Sequence, residues 1–115
     1  MQSKSQFFAL LIPFLMAFQS GNATWIRINL AGYQPSGVKV AVWGSKQHVS
    51  LNNFQLIDKA TGKVVFENNA GKAYGSYGPF QQTYRLDFSA FKKPGTYTVR
   101  AGDAVSPEFR ITDDV

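Results

Sequence analysis

The chain has no cysteine, and His48 is its single histidine. Without cysteine there is no disulfide to staple a small fold, no thiolate for a zinc site or a nucleophile, and no residue to carry a lipid. One histidine cannot build an imidazole-rich metal centre. Ser45 lies near it, but no acidic residue follows closely to orient the ring as a catalytic triad requires. The spaced carboxylates of a calcium loop are missing too. The sequence therefore predicts no catalytic residue, no metal site and no cofactor.

Carboxyl groups are few. A glycosidase holds two of them about 5 to 10 Å apart across the scissile bond. Here Asp58 and Asp103 stand beside turns, Glu67, Asp87 and Glu108 on outward strand positions, and Asp113 and Asp114 at the chain end. No pair shares an evident cleft. The formal charge is +5 and the isoelectric point about 9.6. Yet the basic residues are spread singly, with only Lys92 and Lys93 adjacent, and no recognition helix is present. That pattern excludes the common nucleic-acid readers and describes solvated strand faces and turns.

Long apolar runs are also scarce. The run from Phe7 to Phe18 contains Pro13 and falls short of the ~20 residues that a spanning helix needs. It follows Lys4 and precedes Gly21-Asn22-Ala23, whose small residues fit a processing site, so residues 1–23 read as a secretory signal peptide rather than a stable membrane anchor. The expected location is secreted, either periplasmic or extracellular. The Asn22-Ala23-Thr24 sequon straddles the cleavage point and leaves with the signal.

What is present is alternation. Residues 24–115 carry short segments with period-2 patterning, separated by glycine- and proline-bearing turns, and no amphipathic helix. The segments are Trp25–Ala31, Val38–Trp43, Phe54–Asp58, Lys63–Glu67, Gln82–Phe88, Thr96–Ala101 and Glu108–Ile111. They predict an all-β, immunoglobulin-like sandwich of about seven strands. Ile28, Val40, Leu56, Tyr84, Leu86, Tyr97, Val99 and Phe109 are its expected core. With aromatic residues at 15%, the core has large side chains to draw on.

Two features stand apart from that core. Trp25, Trp43, Ile57 and Val65 fall on the opposite faces of their strands, where a solitary domain offers polar groups; this predicts a surface covered by a partner. A one-residue slip at a bulge would instead turn the same residues inward. The glycine-rich loop with Tyr74, Tyr77 and Phe80 either docks on a neighbour or stacks on sugar rings.

The segments IRINLAGYQP (Ile26 to Pro35) and KVAVW (Lys39 to Trp43) resemble the opening of the N-terminal immunoglobulin-like domain of family 9 glycoside hydrolases. FQLIDKATGKVVFE (Phe54 to Glu67), LDFSAFKKPGTYTVRAG (Leu86 to Gly102) and SPEFRI (Ser106 to Ile111) resemble its following hairpin and last strands, in the same order. The resemblance implies a sandwich that precedes a large barrel of paired α-helices. In the family that barrel hydrolyses β-1,4-glucan with inversion, using an aspartate pair and a glutamate. Its Asp-Ala-Gly-Asp motif is absent here, so no catalytic residue is carried over. The chain ends at Asp113-Asp114-Val115, just past the last predicted strand, which reads as a domain cut from or leading into the larger enzyme. The implied partner is the C-terminal catalytic barrel of the same enzyme, and through it β-glucan. The implied role is to pack against the barrel and stabilise it. The alternative is an independent carbohydrate-binding module using the Tyr74–Phe80 loop.

Overall fold

The computed structural model describes residues 23 to 114, and these run through eight strands in two antiparallel sheets. The strands are β1 (Thr24–Arg27), β2 (Val40–Ser45), β3 (Asn53–Asp58), β4 (Val64–Asn69), β5 (Gln82–Asp87), β6 (Gly95–Ala101), β7 (Ala104–Val105) and β8 (Phe109–Ile111). The three-stranded sheet has the order β1-β2-β5. The five-stranded sheet has the order β4-β3-β6-β7, with β8 also paired to β6. No helix occurs among the described residues. This is the expected immunoglobulin-like sandwich with one strand more than the alternation predicted. Strand β7 was missed because it is two residues long, too short to show a period, and follows β6 through the Gly102-Asp103 turn. The predicted signal peptide lies outside the described residues, apart from Ala23.

The sheets close on a core rich in rings. Tyr33, Phe88 and Phe109 meet with centroids 5.1 to 5.5 Å apart, and the series continues through Tyr97, Phe91, Phe66 and Phe54. Such pairs add to the area they bury, about 0.5–1.5 kcal/mol each. In a chain without disulfides this cluster joins the two layers. Tyr33 also explains the Gly-Tyr-x-Pro turn. Its ring is buried, its hydroxyl donates to the Val40 carbonyl at 2.9 Å, and the Asn29 amide donates to that hydroxyl at 2.9 Å.

Most of the predicted core is buried: Ile28, Leu56, Tyr84, Leu86, Tyr97, Val99 and Phe109. Val40 is only half-buried. Strand β2 has the opposite phase to the one expected, with Ala41, Trp43 and Ser45 inward and Val42 outward. Val38, just before it, is 81% exposed. No bulge causes this. Alternating valines on one side and Ala41 with Trp43 on the other give two apolar faces, and the larger ring takes the interior. Trp43 packs edge-on against Tyr84 at 5.6 Å, and its indole N–H is buried without a hydrogen-bond partner.

Lys39 alternates with the expected core residue Val40, yet its side chain is fully buried. The interior accepts it because Nζ donates to three carbonyl oxygens, those of Pro35 at 2.5 Å, Gly37 at 3.0 Å and Gln34 at 3.3 Å. A buried ammonium with its protons bonded avoids most of the penalty of a bare charge. Desolvation still pulls its pKa below the ordinary lysine value, and Lys92 pushes the same way.

A bulge does occur in β4. Leu56 faces Phe66 and Ile57 faces Val64, which leaves Val65 as the extra residue between them.

Candidate docking face

The outer face of the three-stranded sheet is organised by register. Trp25, Gly44 and Thr83 form one cross-strand row, and Arg27, Val42 and Arg85 form the next. The first row has a gap at its centre, because Gly44 carries no side chain. Phe80 fills it: a Cβ on Gly44 would lie 2.8 Å from Cγ of that ring. The Phe80 ring then meets Trp25 with centroids 5.4 Å apart and a tilt of 57°.

The loop that delivers Phe80 is tied down along β5. Ala73 bridges Tyr84, the Tyr74 amide donates to the Thr83 carbonyl at 2.9 Å, and the Thr83 hydroxyl donates to the Gly75 carbonyl at 3.0 Å. Tyr77 and Phe80 exchange both backbone hydrogen bonds, at 2.9 and 3.0 Å, around Gly78-Pro79. Gly78 has φ +58°, and a glycine at the first central position of a two-residue turn is what a tight hairpin needs. The loop is therefore a short hairpin folded over the sheet. An open groove of about 960 Å³ lies beside it, with Trp25, Val42, Tyr74, Tyr77 and Phe80 among its lining residues.

Cations border this groove. Lys46 Nζ sits 5.3 Å from the Trp25 ring centroid, while Arg85 and Lys72 sit 5.0 and 5.3 Å from that of Tyr74. Arg27 lines the same groove, and no acidic residue does. Among the described residues, none of these four cations has a carboxylate within 4 Å.

Of the residues expected on a covered surface, Trp25 lies here, 41% exposed. Trp43 does not: it is 1% exposed inside the core, the direct consequence of the phase of β2. Ile57 and Val65 belong to the five-stranded sheet and face away on the other side of the sandwich. Tyr74, Tyr77 and Phe80 join Trp25 on one surface, a contact that sequence separation hides. Val42 and Gly44 were missed as members of it. The apolar character of β2 on both faces was the available signal for Val42.

Among the described residues no three side chains of the histidine, cysteine, aspartate or glutamate type converge on a metal-sized site. No described helix is long and apolar enough to cross a membrane.

Residues 22–106 match the family described as the cellulase N-terminal immunoglobulin-like domain. The chain belongs to that family. It is 33% identical over 90 residues to a xyloglucan-specific endo-β-1,4-glucanase of Bacteroides ovatus, a match that covers 78% of this chain and 15% of the relative. A solved family 9 structure from Bacteroides ovatus superposes with a TM-score of 0.65 at 32% identity, covering 76% of this chain and 15% of the other. A metagenome-derived family 9 endoglucanase gives 0.64 at 26% identity, with 77% and 18% covered. The chain thus corresponds to a small part of each relative, the immunoglobulin-like domain of a much larger enzyme.

Proposed function

We propose that this domain is a non-catalytic module that packs against and stabilises the catalytic part of a secreted family 9 glycoside hydrolase acting on β-1,4-glucan. The observation that carries the reading is the outer face of the three-stranded sheet, where Trp25, Val42, Tyr74 and Tyr77 are exposed together. A contiguous apolar surface of this kind is a usual mark of an interface. Family membership and the 15% share of the curated relative support the same reading. At about 25 cal/mol per Å², covering a few hundred Å² contributes several kcal/mol before the entropy of docking is charged against it. The test is removal of the domain from the enzyme that carries it. The catalytic part should then melt at a lower temperature, whereas an unchanged midpoint would refute the stabilising role. Residues 24–115 alone should not hydrolyse carboxymethyl-cellulose.

Sugar stacking on the same rings is the less favoured reading, for a geometric reason. A sugar needs an open ring face. One face of Phe80 lies on Gly44, Trp25 carries Lys46, and Tyr74 carries both Arg85 and Lys72. Tyr77, 74% exposed, remains as a single free ring. Retention of the domain on insoluble cellulose, lost in Tyr77→Ala, would reverse this judgement.

A further inference from the structure

We infer that the groove on the three-stranded sheet receives an apolar segment flanked by carboxylates, presented by the catalytic part of the same enzyme. This inference rests on the docking role proposed above and adds which face docks and what chemistry it meets. The two outer faces of the sandwich differ in how their cations are satisfied. On the five-stranded sheet Arg100 donates to Gln55 Oε1 at 2.9 Å, and Lys59 stands 3.5 Å from Glu108. On the three-stranded sheet Arg27, Lys46 and Arg85 border an apolar floor without any such partner.

Lys46 and Arg85 stand over aromatic rings that line the groove, and a ring does not neutralise their charge. A surface with an apolar centre and a rim of one sign is complementary to a partner with an apolar centre and a rim of the other sign. Nucleic acid is the obvious polyanion, but the cations are too few and the groove too apolar for a phosphate track. A carboxylate-flanked apolar segment satisfies both parts of the surface. Gly44 belongs to the same device: its missing side chain lets Phe80 sink into the sheet and leaves the groove open beside it.

Hydroxyl-radical footprinting read by mass spectrometry tests the inference, comparing this chain with the complete enzyme that carries it. Oxidation of Trp25, Tyr74 and Tyr77 should fall several-fold in the complete enzyme, while that of Val64 and Val65 on the other sheet should not. Protection of Val64 and Val65 instead would overturn the choice of face and leave the docking role standing. Protection of neither face would remove the docking role itself. The chemistry is read separately with Arg85→Glu, which keeps the apolar floor. In the complete enzyme it should restore oxidation of Tyr74 and Tyr77 towards the level of the free chain. The matched reversal Arg100→Glu on the opposite face should leave that protection intact. Equal behaviour of the two variants would overturn the acidic partner.

Discussion

The two outer faces of this sandwich hold their cations in different ways. On the five-stranded sheet Arg100, Lys59 and Arg110 stand against oxygen atoms of Gln55, Glu108 and Asp114. On the three-stranded sheet Lys46 and Arg85 stand over rings, with no carboxylate near. Exposed ion pairs contribute little to stability, about 0–1 kcal/mol, so the contrast says little about folding. Its meaning concerns what each face does next. One meets its cations with oxygen atoms of the domain, and the other is the face proposed to dock.

The largest expected difference is between the two tryptophans. Trp43 lies under the three-stranded sheet and Trp25 lies on top of it. Trp43→Ala should cost about 3–5 kcal/mol by leaving a large cavity against Tyr84. Trp25→Ala in the same chain should cost far less, because its ring is half in water. Chemical denaturation of both variants checks this, and equal losses would mean that the face of β2 has been misread.

Next in size is the buried lysine. Lys39→Met keeps the volume but leaves three carbonyl oxygens without their donor, each a buried group that is costly to leave unpaired, about 1–3 kcal/mol. The pH dependence follows from the direction of the shifts. The folded pKa of Lys39 is depressed, so between that value and 10.5 the unfolded chain binds more protons, and Lys39 makes stability rise with pH. Tyr33 and Tyr97 have raised pKa values, chiefly through burial, so they make stability fall as pH climbs above 10.0. Lys39→Met removes the opposing slope and should steepen the alkaline loss of stability, measured as unfolding midpoints from pH 9 to 11.

A smaller effect is expected at Gly44. Gly44→Ala places a Cβ 2.8 Å from the Phe80 ring, which must move. The expected cost is about 1–3 kcal/mol, at the low end because Phe80 sits on a loop. A loss of loop order should accompany it, visible as faster amide exchange at Tyr74, whose bond to Thr83 holds the hairpin. Smallest of all are Arg85→Glu and Arg100→Glu in the isolated chain, each within about 0.5 kcal/mol as surface changes. Their difference should emerge only with the partner present.

How much of this was legible in the sequence varies by element. Strands β5 and β6 show their inward faces directly, because large apolar residues alternate with charged or hydroxylated ones. In β2 the rule failed, since valines on one side and Ala41 with Trp43 on the other both satisfy it. A central strand apolar on both faces is what the proposed docking would require of this sheet. Lys39 misled for a different reason, because its burial depends on three carbonyls gathered by a turn, and no residue pattern announces that arrangement. The aromatic loop is visible in the sequence as a candidate either for docking or for sugar stacking. That it folds over Trp25, with Gly44 as its seat, depends on strand pairing between distant segments, which period alone does not specify.

The proposed docking face is tested most directly by a paired measurement in a complete family 9 enzyme with this domain. Val42→Asp places a carboxylate at the centre of the outer face of the three-stranded sheet, and Ile57→Asp does the same on the five-stranded one. Thermal unfolding of the catalytic part should shift to lower temperature in Val42→Asp and stay where it is in Ile57→Asp. A shift in Ile57→Asp alone, or the same shift in both, would contradict the claim that the three-stranded sheet is the docking face.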